Sequence, residues 1–152
     1  MKTIQCMSRG KFEGVEFDSN TAIISIGDPS SSTPQKCNNF KSVLRLEFLD
    51  IDLLSQRKNI FELLVFKYEI LGFLIRYFNR SFSISDADKI NIFLKKNSSK
   101  NIVVHCDYGK SRSVAVTKYI LNNENWKYID IFQINDGRSG NQWVKYLLEK
   151  SA

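Results

Sequence analysis

Apolar residues along this chain fall in short clusters, and the spacing inside each cluster indicates the element it builds. Thr21-Ala22-Ile23-Ile24-Ser25-Ile26 is a β-branched run closed by Gly27-Asp28-Pro29, which predicts a buried strand ending in a turn. A polar stretch from Ser30 to Gln35 follows as a loop. Val43 to Phe48 alternates apolar and charged side chains, the pattern of a strand with one exposed face. Residues 58–79 are apolar at mixed helical spacing and predict one or two helices. Ser83 with Asp86 and Asp88 reads as a helix start, and the helix continues through Ile90, Ile92, Phe93 and Leu94 to a stop near Asn97-Ser98-Ser99. Asn101-Ile102-Val103-Val104-His105 is a second short apolar strand. Ser113 to Leu121 is apolar on one helical face. Gly137-Arg138-Ser139-Gly140 predicts a turn before a last helix, Asn141 to Lys150, with Trp143, Val144, Leu147 and Leu148 facing inward. The order is mostly strand then helix, so the expected fold is α/β, with a mainly parallel central sheet flanked by helices.

Length and composition narrow this picture. The 152 residues fit a single domain spanning 1–152, with 58–79 as a helical insertion, and 43% of them are apolar against 25% charged. The longest apolar region, Ile60 to Phe78, contains Glu62, Lys67, Glu69 and Arg76, too many charges for a membrane span. No apolar leader follows Met1, so the expectation is a soluble, cytoplasmic protein. Cys6, Cys37 and Cys106 are odd in number and lack CxxC spacing, which argues against a disulfide framework and a zinc site. His105 is the only histidine. That count excludes zinc sites needing two histidines and a cysteine paired with a distant histidine base. No metal and no cofactor are expected. The net charge of +6 suits anionic partners, nucleic acid included, but the lysines are scattered.

The chemistry is concentrated in one loop. Parallel sheets place ligands at the carboxyl ends of their strands, and Cys106 to Ser111 lies there, between a strand ending at His105 and a helix starting near Arg112. Backbone N–H groups in such a turn form an anion nest, to which the helix dipole adds. Asp107, Tyr108, Gly109, Lys110, Ser111 and Arg112 are therefore the expected phosphate-binding residues. Gly109 stands where a side chain would crowd the concavity or a positive φ is needed. Arg112 can hold two phosphate oxygens with its planar fork, a fit lysine does not offer. The same positive surroundings favour the Cys106 thiolate without a partner base. Ser113 is placed to donate a hydrogen bond to the sulfur. His105 is read as structural support, its ring hydrogen-bonded to backbone around the loop. Asp107 is read as solvent-facing, and Tyr108 and Lys110 as outward-pointing at the rim. Asn141 is either a plain helix cap or a group that positions water or the loop.

Val104-His105-Cys106, Gly109 and Arg112-Ser113 follow the HCxxGxxR[ST] pattern, and the chain thereby resembles the protein tyrosine and dual-specificity phosphatases. The likeness extends to the small microbial and phage-encoded predicted tyrosine phosphatases, through Ile24-Ser25-Ile26, Asp50-Ile51, Gly109 to Ser113, Asp86-Ala87 with Ile90 and Phe93, and Asn141 with Val144. It covers roughly residues 21–52, 83–124 and 137–148. The resemblance implies a tyrosine-phosphatase-like fold with a Cys-x5-Arg loop between strand and helix. It also implies a phosphomonoesterase acting on phosphotyrosine, or on phosphoserine and phosphothreonine as well, through a cysteinyl-phosphate. Cys106 would be the nucleophile, Arg112 the phosphate clamp, and Asp50 the general acid, with Asp52 as the second choice. A phosphorylated protein is the expected partner. RNA 5′-phosphates, phosphoinositides, or phosphate binding without turnover are the alternatives. Two features depart from the family: no Trp-Pro-Asp loop is present, and Asp50 lies farther ahead of Cys106 than is usual.

Overall fold

The chain opens with strand β1 (Thr3–Ser8) and a short helix α1 (Arg9–Gly14), followed by β2 (Thr21–Gly27). A 3-10 turn (Gln35–Asn39) leads to β3 (Val43–Glu47). Then come α2 (Ile84–Lys96), β4 (Asn101–Cys106), α3 (Arg112–Asn123), the two-residue β5 (Lys127–Tyr128) and α4 (Gln142–Ser151). The structure is a computed structural model and describes residues 2–52, 54, 80–123, 126–129 and 140–151. The expected helices at 58–79, and all of the 137–140 turn except Gly140, lie outside the described residues. Among those residues no helix is long and apolar enough to cross a membrane.

The strands form one sheet in the order β3-β2-β4-β1-β5, and every pairing is parallel. The α/β architecture with a parallel sheet flanked by helices is therefore present. Every residue of β2 is buried, as expected for a strand with neighbours on both sides and cover on both faces. β3, at the edge, keeps the partial exposure that its alternating pattern implies. The start of α2 is fixed by a capping box: Ser83 Oγ accepts from the Asp86 N–H, and the Asp86 side chain accepts from the Ser83 N–H.

β1 and α1 are not among the elements that the hydrophobic pattern predicts. Ile4, Cys6 and Met7 of β1 are buried, but Thr3, Gln5 and Ser8 interrupt them, so the run carries neither a clean alternation nor a continuous apolar stretch. Its place in the sheet comes from pairing with β4, in the register Ile4 to Ile102 through Ser8 to Cys106. α1 is too short for a periodicity signal. It is secured by Phe12, which is fully buried, so truncation to alanine is worth about 3–5 kcal/mol.

The two faces of the sheet are unequal. Ile4, Ala22, Ile24, Ile102, Val104 and Cys106 join the large core under α2, α3 and α4. Met7, Ile23 and Val103 join Phe12 and Cys37 in a smaller core, packed by Phe17 and Phe40. The strand order has one consequence for the site. Because β4 lies between β2 and β1, the segments leaving β2 and β1 flank the loop that follows Cys106.

Candidate active site

Cys106 ends β4 and is buried. The Gly109 N–H donates to its Sγ at 3.2 Å, and Ser113 Oγ lies 3.1 Å from the same sulfur. Ser113 is fully buried in the first turn of α3, so its hydroxyl stays against the sulfur. Gly109 has φ 69°, and a Cβ there would stand 2.4 Å from Ser8 N and 2.6 Å from Met7 C. Glycine is required here twice over, by the left-handed backbone and by close approach to β1. A further backbone bond, Arg9 N–H to the Asp107 carbonyl, ties the loop to the segment leaving β1.

Arg112 is only 3% exposed and is held on three sides. Nη1 donates to Asp28 Oδ1 and to the Phe48 carbonyl, both at 2.7 Å, and Nη2 donates to Asp107 Oδ2 at 2.8 Å. Burial works against the charge of this guanidinium. The nearby Cys106 sulfur and the Asp28 and Asp50 carboxylates outweigh it and raise its pKa above the usual arginine value. A guanidinium has five N–H donors. The Nε–H of Arg112, although buried, has no partner among the described residues. With Nη1 fully engaged, what remains for a ligand is Nε–H and the second N–H of Nη2.

Asp28 immediately follows β2 and reaches Arg112 because β2 neighbours β4. Its turn is locked by Ser31, whose N–H and Oγ both contact the Asp28 carbonyl at 2.8 Å, and Arg45 Nη2 in turn binds the Ser31 carbonyl at 2.9 Å. In the sequence Asp28 reads only as part of a turn. The available signal was its position: an acid directly after a buried strand, at the carboxyl edge of a parallel sheet.

Asp50 and Asp52 are separated by their partners. Asp50 Oδ1 accepts from Ser111 Oγ at 2.7 Å, which places this carboxylate against the loop. Asn141 Nδ2 donates to the same oxygen at 2.9 Å. Asp52 instead accepts from the Gln142 and Trp143 N–H groups at 3.1 and 3.2 Å, at the start of α4.

Two expectations about the loop need correction. Asp107 does not simply face solvent: its carboxylate is ion-paired with Arg112, because the guanidinium it meets is buried and charged. The His105 ring is not hydrogen-bonded to backbone around the loop, since neither ring nitrogen has a partner among the described residues. Alternation along β4 sends His105 to the face opposite Cys106, where it stacks on Phe12 with centroids 4.3 Å apart. Burial first, then the Arg45 and Arg9 charges, depress its pKa to about 3. Its support for the loop is therefore packing by a neutral ring. Tyr108, 79% exposed, and Lys110 are at the surface, as expected for rim positions. None of the three cysteines forms a disulfide, and burial raises the Cys37 thiol above its usual value.

Comparison of the chain with family models, with curated proteins and with solved structures gives no match.

Proposed function

We propose that this protein is a cysteine-dependent phosphomonoesterase acting on phosphorylated protein, with phosphotyrosine as the first substrate class. The observation that carries this reading is the donor left on Arg112. A buried arginine whose other described contacts are carboxylates and a carbonyl keeps Nε–H and one Nη2–H without a partner among the described residues, in the electrostatic reach of the Cys106 sulfur. Two N–H groups on one planar fork are what a bidentate phosphate takes. The Cys-x5-Arg spacing and the resemblance to tyrosine and dual-specificity phosphatases point the same way.

The reaction has two steps. Cys106 Sγ attacks phosphorus while Arg112 and the loop amides hold the equatorial oxygens. The P–S bond forms, the P–O bond to the leaving group breaks, and Asp50 gives that oxygen its proton. Water then attacks the cysteinyl-phosphate, the P–S bond breaks, and the Asp50 carboxylate takes the water's proton. Ser113, 3.1 Å from the sulfur, steadies the departing thiolate. A general acid so placed is worth about 10²–10⁴-fold.

The test is burst release from p-nitrophenyl phosphate, with EDTA present throughout. The expected result is a burst near one equivalent that disappears in Cys106→Ser. Turnover that survives Cys106→Ser, or no turnover at any pH together with no protection of Cys106 from alkylation by inorganic phosphate, would overturn the proposal.

A further inference from the structure

Resting on the phosphatase reading, we infer that Asn141 is a positioning residue for the Asp50 acid, and that the proton is delivered from Asp50 Oδ2. Asn141 is 2% exposed, and each of its side-chain polar atoms is assigned by its partners. Its Oδ1 accepts from the Val144 N–H at 3.0 Å. Its Nδ2 donates to Asp50 Oδ1 at 2.9 Å and to the Ile51 carbonyl at 3.0 Å. Turning the amide over would set an NH₂ against an N–H and an oxygen against two acceptors, so the orientation is determined. The Asn141 backbone N–H also reaches the Ser111 carbonyl at 3.3 Å, and Gly140, at φ 75°, lets the chain pass close to α3, where a Cβ would meet Ala115 N at 2.7 Å.

The consequence concerns the two oxygens of Asp50. Oδ1 accepts from both Ser111 Oγ and Asn141 Nδ2, whereas Oδ2 accepts from no described residue, and Asp50 as a whole is exposed. An oxygen carrying two donors holds negative charge and is a poor site for a proton. The proton therefore resides on Oδ2, on the open side of the carboxyl group. In the first step Oδ2–H passes to the leaving oxygen as the P–O bond breaks, and the charge left behind is held at Oδ1. In the second step Oδ2 takes the proton back from water. Asn141 touches no reacting atom in either step. It fixes the rotamer that separates the two oxygens, and the Asp52 contacts with Gln142 and Trp143 hold the same segment to the same helix start.

The experiment compares phenyl phosphate with p-nitrophenyl phosphate in the full chain. Asn141→Ser keeps a good helix cap and removes the Nδ2 donor. The expected result is a fall in kcat/KM on phenyl phosphate about tenfold greater than on p-nitrophenyl phosphate, because kcat/KM reports the first step and only the poorer leaving group needs the proton there. Asn141→Asp, which keeps the cap oxygen at the original size, should move the ratio in the same direction. An unchanged ratio in a folded variant overturns the inference while leaving the phosphatase reading intact. A second readout needs no activity. The side-chain amide resonances of Asn141 in the wild-type protein should shift as Asp50 titrates, and the response should vanish in Asp50→Asn. Amide resonances that do not respond overturn the inference. A coupled amide in a protein without turnover removes the phosphatase reading and the catalytic role with it.

Discussion

The 106–112 loop and the 50–52 segment meet at one hydrogen bond, Ser111 Oγ to Asp50 Oδ1, yet they are built from opposite kinds of contact. Inside the loop the partners are near neighbours in the chain: Gly109 N–H to Cys106 Sγ, Ser113 Oγ to Cys106 Sγ, Arg112 to Asp107. The 50–52 segment gets its shape from Ser111, Asn141, Gln142 and Trp143, which lie 61 to 91 residues further on. A turn closed by local contacts repeats whenever its residues recur, so its geometry can be read from a short motif. A segment held mainly by distant residues has no such signature. The difference assigns separate weaknesses to the two regions. The loop fails when its own backbone cannot adopt the turn, and the acid segment fails when the last helix moves.

The largest effect is expected from breaking the loop at Gly109. In Gly109→Ala the new Cβ would sit 2.4 Å from Ser8 N, and that backbone cannot yield easily because Met7 and Ser8 pair with His105 and Cys106. The positive φ adds strain of about 1–3 kcal/mol. The loop should shift, and a displacement of about 1 Å at the nucleophile costs roughly 100-fold in rate. Steady-state turnover of p-nitrophenyl phosphate checks this, with denaturant unfolding to separate lost chemistry from lost fold. Activity near wild type would mean that the loop is less tightly specified than its local contacts indicate.

His105 gives a smaller effect, and its sign follows from its environment. The folded protein holds the ring at a pKa of about 3, below the ordinary 6.5, because burial and the Arg45 and Arg9 charges disfavour the imidazolium. Above pH 6.5 the ring is neutral in both states and its packing contributes fully. As pH falls from 6.5 toward 3 the unfolded chain takes up a proton that the folded chain refuses, so stability drops by at most about 1.4 kcal/mol per pH unit. Replacing the ring by His105→Phe keeps an aromatic partner for Phe12 and should flatten the stability profile between pH 6.5 and 4, read by urea unfolding. A wild-type profile that is already flat would show that the base of the loop is not held by a neutral, packed histidine.

Much of the fold was legible because its signals are local. β2, β4, α2 and the last helix each carry a run, a cap or a stripe within their own residues, and the parallel character of the sheet follows once strands alternate with helices. β1 was not legible, since Gln5 and Ser8 break its pattern and its strand character comes from pairing with β4. The site divides in the same way. Cys106, Gly109, Arg112 and Ser113 follow from the motif alone. The reach of Asp28 to Arg112 depends on which strand neighbours β4, and the turn of Asp107 toward that arginine depends on burial that no spacing reveals. The resemblance ranks Asp50 ahead of Asp52 as the acid, but nothing in their spacing shows that one meets the loop and the other meets α4. Contacts about 90 residues distant distinguish them.

The smallest effect probes that distinction. Asp52 accepts from two N–H groups in the first turn of α4, and losing an acidic cap of this kind costs about 0.5–2 kcal/mol. Asp52→Ala should therefore lower the unfolding free energy by about 1 kcal/mol, measured by urea titration. It should leave inorganic phosphate as effective as before in protecting Cys106 from alkylation, because the Asp52 carboxylate is engaged by the Gln142 and Trp143 N–H groups at the start of α4. Asp50→Ala should do the reverse: a stability change no larger than that, since its carboxylate is exposed and Asn141 Nδ2 keeps the Ile51 carbonyl, but a loss of kcat/KM that grows as the leaving group becomes poorer. If the two variants exchanged these behaviours, the carboxylate at the start of the helix would be the acid, and the 50–52 segment would have to turn by two residues to deliver it. The Asn141 contact with Asp50 opposes that turn, because releasing it would leave the buried Nδ2 with only the Ile51 carbonyl, itself part of the segment that moves.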